Sequence, residues 1–457
     1  MGDSEAIVRP AREHVAKLSP KEADPALLAA KPPKQRGISA AFVVNEPRRQ
    51  VTAAEGSSST ALERLRTTSS ASSSSPRDAS GDHTLSPSSP FVLRHGRRFL
   101  RDLTSPYPLP VDLIELHRQT LRTLMFMRIH GAPFCSPVIE ETVPKKVLEV
   151  ACGSALWSSI CHDYFKKQGH SDVSFTGMDI APLATDHKLH GLNWRFVQHD
   201  LRNQPWPFND GEFDFVFVKD AGLCVPEAAF GDEPMNEPMR LLKPGGVLEV
   251  WESDHLFRTL LPHPPIPAGT SEDLIEQAEV SGTYIMSPST AFATPQNKYL
   301  ADYNTWAQKA FEKRHLTLVP CALTGWAFSN DPDFIGEIGS RRIAVPFGNV
   351  RWEQEPAGGA GVRAKGHIRG QSVATAGKQP SSEPRVLTPD QAAVRHTALT
   401  TIIHFIEGLE PILKAESGKR QDEWDRWWAG MTHDLLEQNG TFNGECLELG
   451  AWWGRKM

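Results

Sequence analysis

The feature that most constrains the fold is a series of short apolar runs between residues 145 and 253, each separated from the next by a helical or turn-rich segment. The runs are KKVLEV, VSFTGMDI, LNWRFVQHDL, FDFVFVKD and VLEVWES. Near-continuous apolar strands that alternate with helices are typical of a parallel sheet covered on both faces. The sequence therefore predicts an α/β fold with a doubly wound, mostly parallel, Rossmann-like sheet.

Helical segments are expected on both sides of this sheet. Apolar residues recur at helical spacing across residues 111–131, and Gly131 provides a helix stop, so we predict a helical N-terminal leader. After about His255 the strand rhythm weakens and helical patterns dominate. One helix carries Trp424, Trp427 and Trp428 on a single face, a spacing that indicates core packing. We expect the C-terminal region to be a mostly helical lid.

Composition indicates that part of the chain lies outside a folded core. Hydrophobic residues make up 39% of the sequence, below the usual share of about 45–50% in globular domains. Residues 1–90 are rich in Ser and Pro, and residues 355–384 are rich in Gly, Ala and basic side chains, so both are predicted to be disordered. The remaining regions are a leader at 91–144, a core at 145–255 and a helical region at 256–457.

The overall charge and the cysteines exclude several classes of protein. The net charge is -6 and the pI is about 6.3, so a nucleic-acid partner is not expected. None of the six cysteines forms a CxxC pair, and no metal site is predicted. There is neither a run of about 18 apolar residues nor a secretory leader, so we predict a soluble protein of the cytoplasm or nucleus.

Three carboxylates come at or near the ends of successive predicted strands. They are Glu149, Asp179 and Asp200. In a doubly wound sheet, ligands bind outside the carboxyl ends of the strands, and an acid after the second strand accepts hydrogen bonds from ribose hydroxyls. One such acid alone would more often be a solvated strand end or a helix cap. Three at successive strand ends predict a nucleoside-binding site.

The loop after the first strand discriminates between two nucleotide ligands. A dinucleotide places its pyrophosphate on a glycine-rich GxGxxG turn. The loop here reads ACGSA, with Ala151 and Ala155 on either side of Gly153. S-adenosylmethionine has no phosphate, so the loop argues more strongly against a dinucleotide than against S-adenosylmethionine. A positive φ at Ala151 would cost about 1 kcal/mol.

The motifs VLEVACGSALW, FTGMDIAP, VQHDL, PWPFNDGEFDFVFV and NEPMRLLKPGGVLEVWE, in this order, resemble those of class I S-adenosylmethionine-dependent methyltransferases. The resemblance spans residues 145–252. It implies that Asp179 binds the ribose, that Ile180 packs on the adenine, that Asp200 and Leu201 meet the adenine edge, and that Lys219 lies near the sulfonium. The implied cofactor-binding residues are Glu149, Ala151, Cys152, Gly153, Asp179, Ile180, Asp200, Leu201 and Lys219.

Upstream, YPLPVD and APFCSPV resemble the leader of a fungal methyltransferase group that includes the velvet-complex regulator of secondary metabolism. This narrower resemblance implies regulatory protein partners. Three hypotheses follow for the chain: a methyltransferase acting on a small molecule or a protein, a cofactor-binding regulator with little or no turnover, and an inactive scaffold.

Candidate catalytic residues follow the fourth and fifth predicted strands. They are Asp220, Glu252 and His255, and Asp254 could orient His255 as a general base. In the alternative interpretation, Asp254 is a helix cap and His255 is a surface histidine. The sequence KDAGLC after the fourth strand lacks an NPPY-type signature, which lowers the expectation of base or amide methylation without selecting an acceptor atom.

Overall fold

The computed structural model describes residues 89–227, 235–330, 334–355 and 386–457. A hairpin of β1 (Phe91–Arg94) and β2 (Arg97–Leu100) precedes a ten-stranded mixed sheet. The disorder predicted for residues 1–90 and 355–384 falls almost wholly outside the described residues and stays a prediction.

Five parallel strands form the first half of the sheet and confirm the predicted Rossmann-like fold. Their order across the sheet is β5-β4-β3-β6-β7, so the chain moves outward from β3 and then returns to its other side. The switch point between β3 and β6 is where an open α/β sheet forms a ligand crevice. The strands are β3 (Lys146–Val150), β4 (Ser174–Asp179), β5 (Asn193–Gln198), β6 (Phe213–Lys219) and β7 (Leu242–Ser253).

The C-terminal region is mostly helical, as the sequence predicts, and it also contributes five strands that the sequence did not predict. The last strand, β12, pairs antiparallel with both β7 and β11, so the C-terminal tryptophans 452 and 453 belong to the sheet. The strands are β8 (Arg258–Leu260), β9 (Tyr284–Met286), β10 (Phe292–Ala293), β11 (Ile335–Pro346) and β12 (Glu445–Lys456).

The buried glutamates of β12 explain why the sequence pattern did not predict this strand. Glu445 and Glu448 interrupt its apolar pattern in the sequence, yet both are buried. Glu448 accepts hydrogen bonds from Arg258, with Nε at 2.6 Å from Oε1, and Glu445 accepts one from the backbone N–H of Asn297 at 3.0 Å. Both partners lie more than 140 residues away in sequence. A buried carboxylate paired in this way resembles a surface residue when only the sequence is read.

Helices cover both faces of the sheet. The predicted leader helix is confirmed as α1, which begins after its N-cap Asp112 and ends before Gly131, whose φ is 84°. Among the described residues, no helix has the length and apolar character needed to cross a bilayer. The helices are α1 (Leu113–His130), α2 (Pro137–Glu141), α3 (Leu156–Lys167), α4 (Asn236–Leu241), α5 (Glu272–Ser281), α6 (Lys298–Glu312), α7 (Pro320–Asn330), α8 (Arg351–Gln354), α9 (Pro389–Gly408), α10 (Glu410–Ser417) and α11 (Gln421–Glu437).

Aromatic packing fixes the leader helix over the sheet. Phe126 of α1 stacks on Trp251 of β7 at 5.6 Å between ring centroids. The same tryptophan meets Phe217 of β6 edge to face at 5.1 Å, and Phe217 stacks on Trp157 of α3 at 3.8 Å. These contacts hold α1 beside the ends of β6 and β7, and α1 also packs against α9. The predicted core role of Trp424 and Trp427 is confirmed, since both are buried.

A substitution of Gly177 in β4 tests how tightly the side chains around the sheet are packed. A Cβ at this position would lie 2.3 Å from Cη2 of Trp194 and 2.8 Å from Sγ of Cys152. We therefore expect Gly177→Ala to lower the free energy of unfolding by about 1–3 kcal/mol through overpacking. Gly348→Ala is the matched control, because its nearest new neighbour would be Oγ1 of Thr441 at 3.4 Å. Equal stability of the two variants in urea unfolding would contradict the described register.

Candidate functional site

A cleft opens at the carboxyl ends of the five parallel strands β3 to β7. It encloses about 1140 Å³ of empty space, including its mouth. The strand ends form its floor, and α1, the segment 105–111 and α9 form its walls. The cleft lies at the topological switch point of the sheet, where open α/β folds bind ligands.

Asp179, at the end of β4, holds the loop between β3 and α3 in place; this segment is called the first loop. Its Oδ2 accepts a hydrogen bond from the backbone N–H of Gly153 at 2.9 Å, and its Oδ1 accepts one from the N–H of Ala181 at 2.8 Å. Burial raises the pKa of this carboxyl, against the opposing effect of these backbone donors. Each carboxylate oxygen has a further lone pair, so Asp179 can still accept hydrogen bonds from a ligand in the cleft.

The first loop has three left-handed residues. Ala151, Gly153 and Ala155 have φ values of 54°, 53° and 59°. The sequence left open whether Ala151 requires a positive φ, and in the structure it does. Each alanine in this region costs about 1–2 kcal/mol relative to its ordinary conformation. Ala151 lines the cleft, whereas Ala155 is fully buried before α3. The loop therefore keeps a glycine-like conformation without the glycines.

Glu149 and Cys152 lie beneath the loop and do not line the cleft. Oε2 of Glu149 accepts hydrogen bonds from the N–H and Oγ of Ser158, at 3.2 and 2.6 Å, and burial raises the pKa of Glu149 to about 7. Sγ of Cys152 faces Gly177 in the core. The structure thus places these two predicted site residues where they support the loop and the start of α3.

Ile180, Asp200 and Leu201 line the cleft on its β4–β5 side. Asp200 is paired with Arg202, whose Nη2 lies 2.6 Å from Oδ2, and hydrogen bonds from Arg202 hold the pKa of Asp200 below its usual value despite partial burial. Arg202 also donates to the carbonyl oxygen of Thr104 at 2.8 Å. This arginine therefore ties the leader to the strand end.

Asp220 is held by two cations. Arg122 of α1 donates from Nη2 to Oδ1 at 2.6 Å and from Nε to Oδ2 at 3.1 Å, and Nζ of Lys219 lies 2.8 Å from Oδ2. These charges hold the pKa of Asp220 far below its usual range although burial opposes them. Such a carboxylate is a poor proton acceptor at neutral pH, which disfavours Asp220 as a general base.

Arg122 is a residue that sequence reasoning missed. It lines the cleft, is buried, and also donates to Oγ of Ser253 at 2.6 Å. The available signal was the pair Arg118 and Arg122, four residues apart on a helix otherwise expected to bury an apolar face. Two arginines on such a face indicate buried carboxylate partners.

The other two catalytic candidates occupy different surroundings. Glu252 does not line the cleft; its Oε1 accepts from the N–H of Gly222 at 2.8 Å, and burial raises its pKa to about 8. His255 lines the cleft, stacks on Phe405 at 5.1 Å, and has its pKa lowered to about 3, chiefly by burial. Its Nε2 has no hydrogen-bond partner within the described ranges.

The proposed pairing of Asp254 with His255 is wrong. Oδ1 of Asp254 accepts from the backbone N–H of Cys321 at 3.0 Å, and its Oδ2 lies 3.6 Å from Nη2 of Arg342. Asp254 lines the cleft, as His255 does, but its two carboxylate oxygens face Cys321 and Arg342 and not the imidazole.

Comparison with known protein families gives one match within the sheet. Residues 147–246 match a methyltransferase domain. The matched part contains β3 to β6, the start of β7 and the strand-end acids of the cleft. It leaves out α1 and α9, which supply two walls of the cleft. A search of curated proteins gives no match.

Comparison with solved structures gives distant likenesses. Phosphoethanolamine N-methyltransferase 2 from Haemonchus contortus, with S-adenosylhomocysteine and phosphomonomethylethanolamine bound, is 12% identical with a TM-score of 0.31, and the match covers 76% of this chain. The chain spans 59% of the length of that enzyme. The YcgJ protein from Bacillus subtilis is 12% identical, with a TM-score of 0.30 and coverage of 73% of this chain and 97% of the other. Likenesses this distant carry no argument about activity.

Ala151 lines the cleft with a positive φ, and a substitution can relieve the backbone strain at this position. Ala151→Gly removes the steric cost of a positive φ, and we expect it to raise the free energy of unfolding by up to about 1 kcal/mol, measured by urea unfolding. Ala181→Gly is the control, since Ala181 also lines the cleft but does not have a positive φ. A less stable Ala151→Gly variant would contradict the described loop conformation.

The raised pKa of Glu252 predicts a pH dependence of stability. Its folded-state pKa of about 8 exceeds the ordinary value of 4.5, so its contribution is complete below pH 4.5 and is lost as the pH rises through 8. Glu252→Gln keeps an oxygen for the N–H of Gly222 and cannot ionise. We expect the variant to match the wild type at pH 5 and to be more stable by about 1–3 kcal/mol at pH 9.

Thermal and urea unfolding across this pH range measure the difference. Glu276→Gln, a change at an exposed position of α5, is the control and should follow the wild type at every pH. An unchanged pH dependence in Glu252→Gln would show that the carboxyl is ionised in the folded protein at neutral pH.

Proposed function

We propose that the chain is a methyltransferase that uses S-adenosylmethionine, bound in the cleft at the carboxyl ends of β3, β4 and β5. The observation that carries the proposal is the link from Asp179 to the backbone of Gly153, within the segment that matches a methyltransferase domain. This hydrogen bond joins the first loop to the end of β4, and the two together form one wall of the cleft.

The hydrogen bonds of the first loop favour this cofactor over a dinucleotide. A pyrophosphate needs free backbone N–H groups at the start of a helix. Here the N–H of Gly153 donates to Asp179, and the N–H of Ala155 donates to the carbonyl oxygen of Cys152 at 2.7 Å. A second carboxylate, Asp200, lines the same part of the cleft. These groups suit a cofactor without phosphate that carries an amino group and a sulfonium.

In this proposal, the predicted residues that line the β4–β5 side of the cleft hold the ribose and the adenine of the cofactor. Asp179 accepts hydrogen bonds from the ribose hydroxyls with its remaining lone pairs. Ile180 and Leu201 pack on the adenine, and Asp200 accepts a hydrogen bond from its amino group. Glu149 and Cys152 act from below by holding the loop in place. Lys219 neutralises Asp220 at the side of the cleft where the methyl group would leave.

The rate of methyl transfer in this site depends mainly on how the two reactants are positioned. The reaction is an in-line displacement, and holding the two reactants in contact supplies much of the rate acceleration. Arg122 and Ser253 belong to the fixed network around Asp220, so this side of the cleft keeps its shape without a bound ligand. His255 is the catalytic candidate that lines the cleft and is not held in an ion pair.

The narrower resemblance to the fungal regulator group stays a prediction. The matched family segment begins at residue 147, so it does not reach the leader motifs that suggested that group. The acceptor, a small molecule or a protein, and a regulatory role without turnover likewise stay hypotheses. The cleft's walls from α1 and α9 are the part of the chain that would decide between them.

Binding of S-adenosylmethionine by calorimetry tests the proposed function. We expect binding by the wild type and a loss of about 1–3 kcal/mol of binding free energy in Asp179→Ala, because a charged acceptor is removed. Asp172→Ala, at the opposite end of β4 and exposed, should bind like the wild type. Absence of binding at millimolar cofactor, with both proteins folded, would overturn the proposal.

A further inference from the structure

We propose that the half of the cleft at the ends of β6 and β7 takes an uncharged acceptor with an apolar, ring-sized body and a hydroxyl group as the nucleophile. This inference rests on the proposed function, since it concerns the acceptor that would receive the methyl group. It is carried by three observations on the side chains of this half: its apolar walls, the pairing of its charges, and one unpartnered imidazole.

The walls of this half are apolar and come from three parts of the chain. Leu109 belongs to the leader, Leu223 follows β6, and Ile402 and Phe405 belong to α9. All four are buried, and Phe405 packs its ring against His255. A body that replaces water between these side chains gains about 25 cal/mol for each Å² of apolar surface removed from water. The walls therefore favour an apolar acceptor.

Every charged side chain that lines this half is already paired. Arg118 donates to both carboxylate oxygens of Glu115, at 2.8 and 2.6 Å. Arg122 and Lys219 share Asp220, and Oδ2 of Asp254 lies 3.6 Å from Nη2 of Arg342. A charged acceptor would lose its hydration without gaining a free counter-ion, and burying an unpaired charge is costly. The pairing therefore excludes carboxylates and ammonium compounds in favour of an uncharged acceptor.

His255 supplies a polar group with an unpartnered nitrogen to this half. Its lowered pKa keeps the imidazole neutral at physiological pH, so one ring nitrogen accepts and the other donates a hydrogen bond. Nε2 has no partner among the described residues, and unpaired buried polar atoms are uncommon in folded proteins. A hydroxyl matches this group, because it can donate to one nitrogen while its oxygen keeps a lone pair for the methyl group.

The methyl transfer then needs no reactant besides the acceptor and S-adenosylmethionine. A lone pair of the hydroxyl oxygen forms the C–O bond as the C–S bond breaks, and the electron pair of that bond stays on sulfur. The products are the methyl ether and S-adenosylhomocysteine. The hydroxyl proton leaves to water. The neutral imidazole orients the oxygen and does not need to hold the proton afterwards, in keeping with its low basicity.

Three probes with the same naphthalene ring test the acceptor class. They are naphthol, naphthoate and naphthylmethylammonium, which are neutral, anionic and cationic. Binding to the protein loaded with S-adenosylhomocysteine is measured by calorimetry, and ether formation from S-adenosylmethionine is measured by mass spectrometry. We expect naphthol to bind at least about tenfold more tightly than either charged probe, a difference of about 1.4 kcal/mol, and to be methylated.

Two histidine variants separate the role of His255 from general core disruption. His255→Leu should weaken naphthol binding by about fivefold to tenfold through loss of the hydrogen bond. His130→Leu is the matched control, because His130 is also buried, also has its pKa lowered to about 3, and also has an unpartnered Nε2, yet does not line the cleft. It should bind naphthol within about twofold of the wild type once thermal unfolding shows that both variants are folded.

The outcomes distinguish this inference from the proposed function. Cofactor binding with tighter binding of a charged probe, or with no binding of any probe, would overturn the acceptor class and leave the methyltransferase proposal intact. Equal losses in the two histidine variants would overturn the role of His255. Loss of cofactor binding itself would overturn the proposed function first.

Discussion

The ion pair between Arg122 and Asp220 is the interaction on which the rest of the site depends. It joins the leader helix to the end of β6, and through Ser253 it also joins that helix to the end of β7. Removing one partner of such a buried pair would leave an uncompensated charge, at a cost of about 3–5 kcal/mol. Because α1 forms a wall of the cleft, this pair sets the width of the site as well as the position of the helix.

The first loop keeps left-handed backbone conformations at two positions that carry alanine. Its shape is held by the hydrogen bond that Gly153 donates to Asp179 and, beneath the loop, by the one that Ser158 donates to Glu149. These contacts hold Ala151 and Ala155 in left-handed conformations that each residue would avoid in isolation. The loop therefore keeps its geometry at a cost in stability, which agrees with the common finding that strained backbone collects at functional sites.

Much of the fold could be predicted because the strands of its parallel half are nearly continuous apolar runs. The strand-end acids Asp179 and Asp200 followed from those runs, and the structure places both along the cleft. Glu149 lies at a strand end too, but the sequence does not show which way a side chain turns beneath a loop. The strand β12 was missed because its buried glutamates pair with residues more than 140 positions away.

The sequence by itself determined the alternation of strands and helices, the edge of the sheet where ligands bind, and the acids that reach it, because these depend on local periodicity and chain direction. Only the tertiary structure decided which side chains meet there. It brought Arg122 to Asp220, separated Asp254 from His255, and placed Phe405 against the imidazole. These contacts join segments 98 and 150 residues apart, and their charges and burial depend on partners that no local pattern specifies.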